Sequence, residues 1–430
     1  MTNQRSTLPR IAPEAALARA ARAEAFDDRT LASARAVVED VRTHGEAAIR
    51  LEAERFGEIT PGAPLFVERV ALRSALDALP TDQRRLLERT AERIRGFALA
   101  QRAALADVTV PIPGGRAGHR VTPVDAAGCY APGGRYPLPS SVLMTAVTAR
   151  AAGVPTVVVA SPRPTAATLA AAAIAGADVL LPVGGAHAIA ALAFGTNACP
   201  RCDVVCGPGN RWVTAAKHEV SRSVRIDMLA GPSELVVLAD DTADAATVAA
   251  DLLAQAEHDD DALPVLVTTS AALADRVDAE LARQLEDLPS APTARVALAR
   301  GFVCVCETIE AAARVCDALA PEHLEVHTEN PEHAASLVRR AGAVFIGAAA
   351  AEALGDYGAG PNHTLPTGGT ARARAGLSVL DFLRFPTFIH IDNPDEAADL
   401  ARDAAALARL ESLEAHARSA ERRSPARGPT

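Results

Sequence analysis

Apolar positions recur at three- and four-residue spacing among charges in three early stretches, "APEAALARAARAEAF", "TLASARAVVEDVRTHGEAAIRLEAERF" and "TDQRRLLERTAERIRGFALAQRAAL". That spacing predicts amphipathic helices over most of the N-terminal quarter. The pattern then breaks, as "VTVPIPGGRAGHRVTPVDAAGCYAPGGRYPLPSS" mixes β-branched residues with Gly and Pro and marks strands and turns. Short apolar runs next alternate with helical ones: "SVLMTAVTARAAG", "TVVVAS", "TAATLAAAAIAG", "DVLLPV", "AHAIAALAFG" and "CDVVCGPGN". Buried strands separated by helices indicate parallel α/β units.

A second series of similar rhythm runs from "ELVVLAD" through "LPVLVTTS", "FVCVCE" and "LEVHT" to "AVFIGA". The expected architecture is α/β, with two Rossmann-like doubly wound domains. Residues 1–120 form a helical segment expected to pack on the second α/β domain, 121–235 the first Rossmann-like domain and 236–365 the second. The tail, 366–430, reads as Gly/Arg-rich loop and then helix; charged and long for its apolar content, it suits packing on another subunit.

A chain of 430 residues can bury several cores. Its net charge of −10 argues against general nucleic-acid binding, which needs a basic surface. No apolar run approaches a membrane span, and the N-terminal stretch lacks the apolar core of a signal peptide, so a cytoplasmic location is expected. Seven scattered cysteines do not make a disulfide framework. Cys199, Cys202 and Cys206 have no matching fourth ligand nearby, which counts against a structural zinc.

Candidate chemistry sits in a few places. Gln255 and His258 in "AQAEHDDD" project from one helix face and could share a metal, or simply end a helix in polar residues. Asp356 and His363 lie in the loop "GDYGAGPNHTLPTGG", where they could bind metal or substrate or make turns. "CGPGNRWVTAAK" lets backbone approach a ligand at a helix start but lacks the G-x-G-x-x-G dinucleotide fingerprint. Ser233 in "AGPSELVVLAD" could bond a ligand or make a turn.

The tripeptide Pro-Glu-His occurs twice. In Asn330-Pro331-Glu332-His333 each residue suits a helix start, with Gly342 as a possible end. Pro321-Glu322-His323 stands between a helix and an alternating strand, where neither capping nor packing requires it, so it is the better candidate for a site. It stands at a strand's entrance, whereas parallel sheets bind ligands at strand C-termini, so it needs a second domain or subunit to face.

With "GCYAPGGRYPLPSSVLM", "CGPGNRWVTAAK", "IDMLAGPSELVVLAD", "LLAQAEH", "APEHLEV", "GDYGAGPNHTLPTGGTARARAGLSVLDF" and "LEAH" in order, the chain resembles the L-histidinol dehydrogenase family over nearly everything from 15 to 423. The resemblance implies a homodimer and one Zn2+ per subunit held by Gln255, His258 and Asp356, with His416 reaching over from the tail of the other subunit. It implies Glu322 and His323 as the acid–base pair, and substrate contacts at Ser233, Gln255, His258, His323, Asp356, Glu411 and His416. NAD contacts would fall on Tyr130, His187 and Asn210.

The implied reaction is a four-electron oxidation of L-histidinol to L-histidine through bound L-histidinaldehyde, using two NAD+. His323 would accept the hydroxyl proton and Glu322 would help water add to the aldehyde, while zinc positions the substrate. The chain departs from the family pattern in three places. His187 replaces a glutamine, which predicts a rearranged cofactor contact; Arg384-Phe385 reduces a basic pair; and "RYPLPSS" replaces a more Ala-rich version. The alternatives are a dehydrogenase of another small alcohol such as a sulfonated diol, a zinc hydrolase using Glu322 as base, and a catalytically dead binding protein.

Overall fold

The computed structural model describes residues 7–19, 26–133, 137–197 and 199–423. The chain divides into two compact units, one comprising Met1–Leu99 with Asp125–Phe382, the other Ala100–Val124 with Leu383–Thr430.

The larger unit holds two six-stranded sheets. In the first, Arg225–Ile226, Val204–Cys206, Ala126–Tyr130, Thr156–Ala160 and Val179–Leu181 run parallel in that spatial order, and Val67–Glu68 closes the edge antiparallel. In the second, Arg10–Ile11, Phe302–Val305, Leu263–Thr268, Glu234–Ala239, His323–His327 and Ala343–Ile346 are all parallel. The unbroken apolar run "LVVLA" shows why helices cover both faces here. Leu235, Val237 and Ala239 join one core cluster, while Val236 and Leu238 join another. Alternate side chains of a strand point to opposite faces, so a strand apolar at every position must be covered on both.

Alanine supplies the close packing around the first sheet. Ser141 to Ala149 of the helix Pro139–Ala151 are all buried, as are Ala186 to Ala193 of the helix Gly185–Phe194. Short side chains let these helices lie close to the sheet without large aromatics.

The N-terminal segment corrects one expectation. The helix Asp28–His44 packs on Gly185–Phe194 and Arg211–Val220, and the helix Arg69–Ala78 packs on Ala166–Ala175, all of them helices of the first sheet and not the second. Ala34, Val38 and Val41 form an apolar stripe that belongs to the same core as Ile189 and Val213. Among the described residues before 20, the strand Arg10–Ile11 and the helix Pro13–Arg19 do join the second sheet's half.

The smaller unit carries an antiparallel sheet of Val108–Ile112, Gly115–His119 and Thr387–Ile391. It also holds the helices Ala398–Leu410 and Glu414–Glu421, which pack on each other. The strand Thr387–Ile391 stands where only loop and helix were expected. "TFIHI" is apolar and β-branched at alternate positions, but it is too short to read without its partner strand. No helix among the described residues is long and apolar enough to cross a membrane.

Candidate functional site

The C-terminal ends of the first sheet's strands open into a cavity of about 1020 Å³, lined there by Tyr130, Gly185, His187, Asn210 and Trp212. Glu257, His258 and Tyr357 from the second sheet's half line the same cavity. Its volume is at the upper end for ligand pockets.

Gly207 fixes the approach of backbone to this space. Its φ is +117°, and a Cβ there would stand 1.9 Å from the Tyr130 carbonyl oxygen, so no other residue fits. A buried ion pair holds the turn: Lys217 Nζ donates to the Gly207 carbonyl (2.6 Å) and to Asp227 Oδ1 (2.5 Å), while Asp227 Oδ2 accepts the Gly207 N–H (2.8 Å). Asn210 caps the next helix, its Oδ1 accepting from the N–H groups of Trp212 and Val213. Its amide N–H2 remains to donate to a ligand. Burial pushes the Tyr130 phenol up to about 12, so it stays a neutral hydroxyl, accepting from the Gly185 N–H at 3.4 Å.

Glu322 and His323 lie at the N-terminal end of the strand His323–His327, beside the start of Glu234–Ala239. The sequence position of this pair runs against the usual preference for strand C-termini, and the fold resolves it. The second sheet contributes its N-terminal edge, and the first sheet contributes the conventional C-terminal edge.

His323 is buried, and its Nδ1–H donates to the Glu234 carbonyl (3.1 Å). That bond fixes the tautomer and leaves Nε2 with a free lone pair, 3.8 Å from Asp356 Oδ1. Burial holds its pKa below the ordinary histidine value, against the opposing pull of Asp356. Glu322 Oε2 accepts from Ser233 Oγ–H (2.6 Å) and from the Glu234 N–H (3.0 Å). Burial nevertheless pushes the Glu322 carboxyl up to about 8.

Beside this pair His258 Nε2 lies 4.0 Å from Asp356 Oδ2 and 3.9 Å from Glu352 Oε1, and these three residues form a group able to hold a metal. Gln255 lies in the helix Ala245–Ala256, but His258 falls just past its end and not on one helix face with it. Gln255 is fully buried with neither amide atom hydrogen-bonded, and both Glu352 carboxylate oxygens are likewise buried without hydrogen-bond partners. Buried polar atoms without partners are costly, and an N/O donor set of this kind fits a zinc ion. His363 steadies the loop: its Nδ1–H donates to the Asp356 carbonyl (3.0 Å), and Ser141 Oγ–H donates to its Nε2 (3.2 Å).

Glu352 was not among the residues the sequence singled out. It stands four residues before Asp356 on the short helix Glu352–Asp356, and that helical spacing was the available signal. Behind the site Asp251, Glu325 and His327 make a second cluster, with Glu325 Oε1 accepting the Glu352 N–H at 2.6 Å. Glu58 was also missed; it meets His187 across 2.9 Å, from a segment with no local motif.

Other candidates separate cleanly. The second Pro-Glu-His copy starts a helix capped by Asn330, whose side chain accepts from the His333 N–H; that helix ends at Ser336, well short of Gly342. Cys199, Cys202 and Cys206 are buried and do not form a metal-holding group among the described residues. Glu411 and His416 are exposed residues of the smaller unit, without hydrogen bonds or ion pairs from their side chains among the described residues. Arg384 of the reduced basic pair donates to the Pro123 carbonyl (2.9 Å). In "RYPLPSS", Arg135 and Tyr136 lie outside the described residues.

The sequence model of the histidinol dehydrogenase family matches residues 20–424. The histidinol dehydrogenase of Methylococcus capsulatus is 45% identical over 89% of each chain. That of Thermus thermophilus is 44% identical over 94% of this chain and 97% of its own. The crystal structure of histidinol dehydrogenase from Elizabethkingia anophelis superposes with a TM-score of 0.90 at 29% identity, covering 98% of this chain and 99% of the other.

Proposed function

The chain belongs to the histidinol dehydrogenase family of NAD-dependent oxidoreductases, and on that premise we propose that it oxidises L-histidinol to L-histidine in histidine biosynthesis, through bound L-histidinaldehyde. The observation that carries this reading is the Glu322–His323 pair, with one imidazole nitrogen pinned by backbone and the other left free beside the metal-type ligands.

His323 is the base. With Nδ1–H committed to the Glu234 carbonyl, only Nε2 can take the proton of the substrate hydroxyl, and burial keeps it unprotonated at neutral pH. Tyr130, His187 and Asn210 would hold NAD, which would supply the hydride acceptor in each of the two oxidations. Glu322, turned toward Ser233 and the Glu234 N–H, takes a proton from the water that adds to the aldehyde. That step needs its carboxylate form, which becomes abundant as pH rises through about 8.

Gln255, His258 and Asp356, completed by His416 of the partner subunit, would hold zinc, which would supply a fixed positive charge to position the substrate. The same positions, with Ser233, His323 and Glu411, make the substrate contacts. A cytoplasmic homodimer with shared sites is part of this proposal, and the exposure of His416 agrees with a role across an interface. The test is an absorbance assay with L-histidinol and NAD: two NADH per histidinol are expected, and a flat trace refutes the reading.

A further inference from the structure

The cofactor cavity contains a pair that the reaction does not require. His187 sits on its wall at 2% exposure, and its Nε2 is 2.9 Å from Glu58 Oε2, itself almost wholly buried. The same Glu58 oxygen accepts the Gly184 N–H at 3.0 Å. The Phe56 ring lies parallel to the imidazole, 6.1 Å between centroids.

A carboxylate has only acceptor sites, so the nitrogen that meets it must carry the proton. In the neutral imidazole His187 is therefore the Nε2–H tautomer, and its Nδ1 is an acceptor. Nδ1 has no hydrogen-bond partner among the described residues and is not among the buried polar atoms lacking one, so it reaches open space. A glutamine in this place could present either a donor or an acceptor by turning its amide; a neutral histidine locked by Glu58 offers only the acceptor.

We propose that Glu58 is a positioning residue for the dinucleotide, holding His187 so that Nδ1 accepts a hydrogen bond from a ribose hydroxyl or amide N–H of the cofactor. This rests on the cofactor reading above. It extends that reading to a residue of the N-terminal segment, and it makes the contact at position 187 depend on a partner 129 residues earlier in the chain.

The test uses binding and needs no turnover. Trp212 is the only tryptophan and lines the same cavity, so its fluorescence reports NAD binding to the full-length protein, with calorimetry as a second measure. Glu58→Met keeps length and removes the acceptor; Glu58→Gln keeps an acceptor oxygen. Glu58→Met is expected to raise the NAD Kd roughly tenfold, about the net worth of one hydrogen bond to a charged group. Glu58→Gln should stay within about threefold.

In a His187→Gln background, Glu58→Met should shift the Kd less than about twofold, because no tautomer remains to be set. Equal weakening in both backgrounds would overturn the proposal, since it would show that Glu58 only supports the Gly184 turn. So would an unchanged Kd in the Glu58→Met protein. Should Glu58→Met not fold, loss of affinity well beyond threefold in Glu58→Gln, undiminished in the His187→Gln background, overturns it equally. Absence of NAD binding by the unsubstituted protein is a different result and overturns the cofactor reading itself.

Discussion

Replacing His323 with Asn separates its two nitrogens. The Asn amide N–H occupies the place of Nδ1–H and can still donate to the Glu234 carbonyl, the 3.1 Å bond that seats the ring. Nothing then stands where Nε2 was, beside Asp356. The substitution removes the base and leaves the local fold intact. A positioned general base contributes roughly 100- to 10,000-fold, or about 3–5 kcal/mol of barrier. The expected result is a kcat lowered by that factor with little change in KM for histidinol. Residual turnover should climb as pH rises, because hydroxide would replace the missing base. Stopped-flow NADH absorbance gives the rate, and atomic absorption gives the metal content. A variant that turns over nearly normally, or one that loses metal in step with activity, would refute the assignment, since His323 would then be a ligand or a bystander.

Four further outcomes follow from the same geometry. Glu322→Gln should flatten the rise of aldehyde oxidation with pH, which in the parent climbs through about 8 as the carboxyl ionises; an unchanged profile removes Glu322 from that step. Zinc should raise the melting temperature of chelator-treated protein, by about 2.7 kcal/mol of stability at a hundredfold excess over Kd, and Gln255→Leu should weaken that response; titration calorimetry and melting curves check both. Gly207→Ala should destabilise the fold by at least about 3 kcal/mol, read by urea denaturation, because a side chain there combines left-handed strain with a collision against Tyr130. His416→Ala should lower bound zinc, and mixing it with a Gln255→Leu chain should restore part of the activity if the sites are shared across a dimer.

The alternation of helix and strand was legible because buried parallel strands are apolar at every position, and "LVVLA" or "TVVVA" can hardly be anything else. The choice between the two Pro-Glu-His copies was legible too, because capping is local chemistry and Asn330 performs it. What depended on distant partners was not. The N-terminal helices show an apolar stripe in sequence, but nothing in the stripe says which sheet will cover it. The strand Thr387–Ile391 exists only through pairing with Gly115–His119. Glu352 carries its meaning in two buried oxygens without hydrogen bonds, and Glu58 in an imidazole brought to it by folding; neither property can be seen along the chain.

The central claim is that the Glu322–His323 pair and the cavity beside it carry histidinol through two successive oxidations. Counting NADH against L-histidine, with L-histidinol limiting and NAD in excess, tests it most directly. The account predicts two NADH for each histidine formed; one NADH with free aldehyde released, or none at all, would contradict it.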